Sequence, residues 1–349
     1  MPRKLDPPPA IKPETIRALL ALATEFGAAE PWEDMYDTHV VGLTDPVTHD
    51  IRIGSVLGNA GEVFGVGVYR HTAGIRWLLN ATNSSEDEPN LEEAVMMDCL
   101  KIEFLPKNQL PKADLNLLKT VAFKPVGKKG LGWPQFQSAR PGWVPWHIDQ
   151  SEAEQLLIDL PRIIQFCTLF RQHPDLYENQ IVADIPFLPT PKPDRPLKVE
   201  DLDWHPLIVP PQTYAPFKAS KLEALRKLPR TKAAYEYACQ VLPGSTILEQ
   251  GRPCYSRTSL LTDQDRGLVL GHHLSLTIEP LEQSAGLGLV NTLLASQSLP
   301  KRLWIDDGRL LVVLGPLCEA LNIELKLAKE LPHLELAMES LANFMMVGP

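Results

Sequence analysis

The chain lacks most of what would place it outside a cell or on a nucleic-acid strand. Its five cysteines, Cys99, Cys167, Cys239, Cys254 and Cys318, are odd in number, widely spaced and never arranged as CxxC. That pattern fits reduced thiols packed in a cytoplasmic protein. No apolar run approaches the ~20 residues of a membrane span. The basic start MPRKLDPPPAIKP has no apolar stretch behind it, so no signal peptide is read there. Basic residues are in deficit, 34 Lys and Arg against 43 Asp and Glu, for a net charge of −9. A broad nucleic-acid-binding face would need the opposite balance. There is no GxGxxG; Gly58, Gly61, Gly65 and Gly67, and later Gly286 and Gly288, read as turn or close-packing positions.

Proline is what the chain has in excess. Its 33 prolines in 349 residues are nearly twice the ~5% norm. Many fall between Pro186 and Pro216, where fixed φ and missing N–H groups argue against a regular helix or a central strand. The length suits two domains. The expected layout is an α+β N-terminal domain over 1–185, a Pro-rich linker over 186–216 and an α/β C-terminal domain over 217–349.

In the first domain, Ile16, Leu19, Leu20 and Ala23 give Pro13–Phe26 a helical spacing, and Ser151–Arg171 reads as a long helix. His39–Leu43, Ile51–Leu57, Val63–Tyr69 and Cys99–Phe104 read as strands, and Thr72–Asn80 as a helix. WPQFQSARPGWVPWH, residues 133–147, stands apart. Its three prolines predict a long irregular loop presenting Trp133, Trp143, Trp146, Arg140 and His147. Two readings stand beside each other. Aromatics with Arg are the residues of binding hot spots, and the same residues also suit a loop folded over its own aromatic plug.

The second domain has a clearer order. Ala219–Leu225 and Thr231–Val241 read as helices. Thr246–Glu249, Cys254–Leu261 and Gly267–Leu276 read as strands, followed by helix Ser284–Ser298, strand Arg302–Ile305, helix Gly308–Leu321, strand Ile323–Leu327 and helix Leu334–Met345. In PKRLWIDD, residues 300–307, an apolar strand ends in two adjacent carboxylates, Asp306 and Asp307. Strand ends of this kind carry metal or phosphoryl chemistry in α/β folds. Asp307 also suits a helix cap.

TSLLTDQDRGLVLGHHLS, LPKRLWIDDG and ELPHLELAMESL resemble the hairpin, the acid-ended fourth strand and the last helix of the ribonuclease H-like fold in its transposase and integrase version. That resemblance covers roughly 245–345 and implies two Mg²⁺ or Mn²⁺ ions held by three acids, here Asp306, Glu335 and Glu249. WPxFxSxxPGxxPW resembles bacterial two-domain proteins of unknown function, which implies the domain layout and a bacterial cytoplasmic origin. ILEQGR around Glu249 departs from the first-strand pattern. The leading expectation is therefore a non-enzymatic interaction or regulatory module without a cofactor, binding a protein or small ligand through Trp133–His147 and an interdomain groove. The alternative is a metal-dependent nuclease or phosphodiesterase using the three acids.

Overall fold

The computed structural model describes residues 5–83, 91–125, 132–174, 184–188, 200–203 and 219–347. Two sheets organise them. The first contains β1 (Val40–Thr44), β2 (Ile51–Leu57), β3 (Gly65–Tyr69), β4 (Cys99–Leu105), β5 (Trp133–Ala139) and β6 (Trp146–His147), each antiparallel to the next. Beyond β1 lie β7 (Asp184–Leu188), parallel to it, and β8 (Glu200–Asp203), antiparallel to β7. Five helices go with this sheet: α1 (Pro13–Ala29), α2 (His71–Asn83), α3 (Leu91–Ala94), α4 (Lys112–Thr120) and α5 (Gln150–Gln172).

Strand alternation sorts the first core. Val41, Leu43, Val56, Val66, Val68, Leu100, Ile102, Phe104 and Phe136 face α1 and α5, which answer with Ile16, Leu19, Phe26, Leu160, Ile163 and Phe166. Val40, Ile53, Tyr69 and Cys99 face α2, where Ile75 and Leu78 meet them. Asp149 and Glu152 close a reciprocal capping box on α5. Asp159, midway along α5, takes two hydrogen bonds from Arg52 of β2, at 2.7 and 2.8 Å.

The second sheet has the order β11-β10-β9-β12-β13. β9 (Ala234–Glu249), β10 (Arg252–Asp263) and β11 (Val269–Leu276) form an antiparallel meander. β12 (Arg302–Ile305) runs parallel to β9, and β13 (Glu324–Leu327) parallel to β12. α6 (Ala219–Arg226) precedes the sheet. α7 (Leu281–Ser296) and α8 (Gly308–Ala320) cover one face over Tyr235, Tyr237, Leu261, Leu303 and Ile305. On the other face, α9 (Pro332–Val347) packs Leu334 and Met338 over Ala238, Leu260 and Trp304. No helix among the described residues is long and apolar enough to cross a membrane.

Three expectations need correcting. Residues 133–147 are not one irregular loop: β5 and β6 occupy both ends, and only the stretch between them turns. Pro134 is tolerated because β6 pairs only with Gln137 and Ser138, which leaves the start of β5 bonded to β4 alone. Thr231–Val241 is not a helix. Tyr235, Tyr237 and Cys239 recur at every second residue, and the sheet pairing that buries them between two helical layers overrides the helical spacing. The stretch expected as a linker contributes β7 and β8 to the first sheet, and most of its remaining residues lie outside the described ones.

Candidate functional site

The two sheets meet along a seam built from few contacts, nearly all polar. Residues 140–145, between β5 and β6, lie against the long β9–β10 hairpin. Trp143 bridges Cys254, and the Val144 N–H donates to Pro253 O at 3.1 Å. Gly142 O accepts from the Tyr255 N–H at 3.0 Å and from Thr277 Oγ1 at 2.7 Å. Gly142 has φ +80, and a Cβ there would lie 2.5 Å from the Thr277–Ile278 backbone, so only glycine allows this approach.

Below this contact lies a buried ion pair. Arg257 of β10 is fully buried, and its guanidinium takes both oxygens of Glu92 from α3. Its other N–H groups reach Glu279 O at 2.7 Å and Ser284 Oγ at 3.1 Å. A lone Arg in the run CYSRTSLLT was the sequence signal for this pair, and nothing in the sequence pointed to its partner 165 positions away.

Two hollows flank the pair. One, of about 600 Å³, is walled by Ala73, Trp77, Met96, Ile278, Leu281 and Val312, with Arg76, Glu93 and Glu282 among its polar edges. The other, of about 520 Å³, is lined by Ala238, Cys239, Gln240, Asp306, Asp307 and Glu93, among others. Glu92, Glu93 and Arg309 belong to both walls. Val312 is 69% exposed inside the first. Burial pushes the Cys239 thiol up to about 11, so it faces the second hollow as a neutral group rather than a nucleophile.

The predicted acids do not converge. Asp306 sits at the end of β12 in the second hollow, where β9 offers Ala238, Cys239 and Gln240 and no carboxylate. Glu249 is at the tip of the β9–β10 hairpin, on the order of 35 Å along the strand from Ala238. Glu335 influences Asp306 electrostatically, but its Oε1 accepts the Leu331 N–H at 2.9 Å as a helix-start cap. Desolvation, then the charges of Asp307 and Glu335, raise the Asp306 pKa above the ordinary carboxylate value. Among the described residues no group of three or more His, Cys, Asp and Glu is placed to hold a metal ion. Asp306, Glu335 and Glu249 therefore do not fit the expected pair of Mg²⁺ or Mn²⁺ ions. Asp307 caps α8: its Oδ1 accepts from Arg309 N at 2.8 Å, and its carboxylate holds the Arg309 guanidinium.

Sequence reading missed Glu236, the acid that β9 does bury. Its Oε2 accepts from Thr262 Oγ1 at 3.2 Å and from Leu334 N at 2.9 Å, tying the start of α9 to the sheet. The one acid in the run YEYACQV was the available sign.

The aromatic residues proposed as a ligand surface are engaged within the protein. Trp133 packs on Phe123 and lies under Lys107 Nζ. Trp143 lies under the Arg252 guanidinium, 5.3 Å from its centroid. Trp146 neighbours the His147 ring edge-on, and His147 Nδ1 lies 3.1 Å from Asp114 Oδ1. Arg140 binds Glu152 at 2.8 Å and Asp149 at 3.1 Å. Desolvation opposes the charge on Glu152, but hydrogen bonds from Ser138, Arg70 and Arg140 outweigh it and hold the carboxyl at about 2. Of these side chains Trp143 alone reaches across the seam, to Arg252, and the others find their partners within the first domain.

Residues 17–185 match a family described as Domain of unknown function (DUF7309), and residues 221–342 match Domain of unknown function (DUF6930). The chain thus carries two domains, the first reaching to the start of β7 and the second beginning within α6. No curated protein and no solved structure matches it.

Proposed function

We propose that the chain is a non-enzymatic binding module, with the apolar hollow between its two domains as the ligand seat. The observation that carries this reading is the combination of a polar seam, joined by the Glu92–Arg257 pair and the Gly142 hydrogen bonds, and an unfilled apolar space beside it. A volume of about 600 Å³ lies in the range of small-molecule sites. Trp77, Met96, Ile278 and Val312 supply the apolar wall, while Arg76, Glu93 and Glu282 supply orienting polar groups.

In this reading the C-terminal domain is a ribonuclease H-like core whose acid position is no longer in use. An antiparallel three-stranded meander is followed by two strands parallel to the first, with helices after the third, fourth and fifth strands and Asp306 after the fourth. The resemblance carries the fold and not the chemistry, because the position beside Asp306 holds Ala238 and Gln240. A cytoplasmic setting accords with five free, buried cysteines.

Titration with dansylamide, a neutral apolar fluorophore, tests the seat. Saturable binding is expected, weakened about tenfold by Ile278→Gln, since a polar group replaces part of the apolar wall. Binding that Ile278→Gln leaves unchanged would place the ligand elsewhere.

A further inference from the structure

The charge around the two hollows distinguishes which small ligands the seat can hold. The bases are mostly committed. Arg257 is taken by both oxygens of Glu92, and Arg309 by the Asp307 carboxylate at 2.7 to 3.1 Å. That leaves Arg76 at the edge of the apolar hollow. The acids are not committed in the same way. Glu93, Glu282 and Asp306 make no ion pair with a base among the described residues. Glu93 is half-buried and belongs to the walls of both hollows, so a group placed at the end of the apolar one comes up against it.

Together these make an apolar chamber with an acid-rich end: Trp77, Met96, Ile278 and Val312 at one side, Glu93 and beyond it Asp306 at the other. Resting on the cleft reading above, the geometry points to a small organic amine as the ligand, its aromatic or aliphatic body in the apolar hollow and its protonated nitrogen at Glu93 and Asp306. An ammonium there gains charge-assisted hydrogen bonds to carboxylates that make no ion pair among the described residues, Glu93 having only the more distant charge of Arg309. It also offsets the desolvation, and after it the charges of Asp307 and Glu335, that disfavour ionised Asp306. An anionic ligand would meet the same carboxylates as repulsion, offset by Arg76 and in part by Arg309, whose guanidinium is held by Asp307. The volume suits a small molecule, and the seat asks for no extended binding face.

Three fluorophores that share a dansyl body test this on the full chain: dansylcadaverine with an ammonium end, neutral dansylamide, and dansyl-aminohexanoic acid with a carboxylate end. At low salt dansylcadaverine is expected to bind roughly tenfold more tightly than dansylamide, and the acid more weakly than either. Added salt should shrink that spread. The pair Glu93→Gln and Asp306→Asn should remove the cation preference, bringing dansylcadaverine to the affinity of dansylamide. Both substitutions are close in shape and sit on the cleft surface, and circular dichroism checks that the fold is kept. Equal affinity for all three probes, or preference for the acid, overturns the amine assignment while the cleft reading stands, provided Ile278→Gln still weakens binding. Binding of no probe at a site sensitive to Ile278→Gln overturns the cleft reading itself.

Discussion

The seam between the two domains has two unlike halves. In one, polar groups are joined across the boundary: Glu92 with Arg257, and Gly142 O with Tyr255 and Thr277. In the other, apolar walls from α2, the β11–α7 turn and α8 stand apart around an open hollow. The first half fixes how the domains sit, because a buried charge without its partner costs several kcal/mol. The second half has no such constraint. Of the residues that resemble a recognition surface in sequence, Trp143 belongs to the closed half, and the open half is lined by residues of ordinary appearance.

Breaking the closed half should have the largest consequences. Arg257→Ala leaves Glu92 buried without its cation and should cost about 3–5 kcal/mol in denaturant unfolding. Arg257→Met combined with Glu92→Leu should recover most of that, since burying two apolar groups removes the unpaired charge. Gly142→Ala forces a Cβ against the Thr277–Ile278 backbone at a left-handed φ. It should cost about 2–4 kcal/mol and loosen the seam, seen as faster proteolysis between the domains.

Acid should act through Glu152. Its folded pKa of about 2 lies below the ordinary 4.5, so the stability it contributes is present above pH 4.5 and is lost as pH falls toward 2. The native protein should lose up to about 2–3 kcal/mol more over that window than Glu152→Gln, measured by urea midpoints at successive pH values. The smallest effect is expected at Thr277→Val, which removes the hydroxyl bonds to Gly142 O and Tyr255 O. About 1 kcal/mol should be lost, measured by urea unfolding.

Much of the fold was legible because its elements obey simple periods. The spacing of Ile16, Leu19, Leu20 and Ala23 gives α1, and the span Ile51–Leu57 coincides with β2. The capping role of Asp307 could be read from its place before a helical run, and the structure bears it out at 2.8 Å. What failed depended on pairing across distance. Proline counting hid β5, since the sequence does not reveal that the start of β5 is bonded on one side only. Tyr235, Tyr237 and Cys239 fit a strand as well as a helix until the neighbours β10 and β12 are in place.

The candidate site was less legible still. Asp306 was found, but its expected partner Glu249 sits at a hairpin tip because β9 runs on through the position beside Asp306 for another dozen residues or so. Trp143 and Arg140 were found as a group, but their partners Arg252, Glu152 and Asp149 are brought to them only by the fold. The hollow itself draws on Ala73, Trp77, Ile278 and Val312, which are far apart in sequence and share no motif.

The contrast between the two halves is tested most directly by hydrogen–deuterium exchange with and without saturating dansylcadaverine. Protection is expected in residues 71–83, 276–282 and 308–313, with 133–147 unchanged. Protection confined to 133–147, with the three cleft segments unaffected, would contradict it and return the binding role to the aromatic segment.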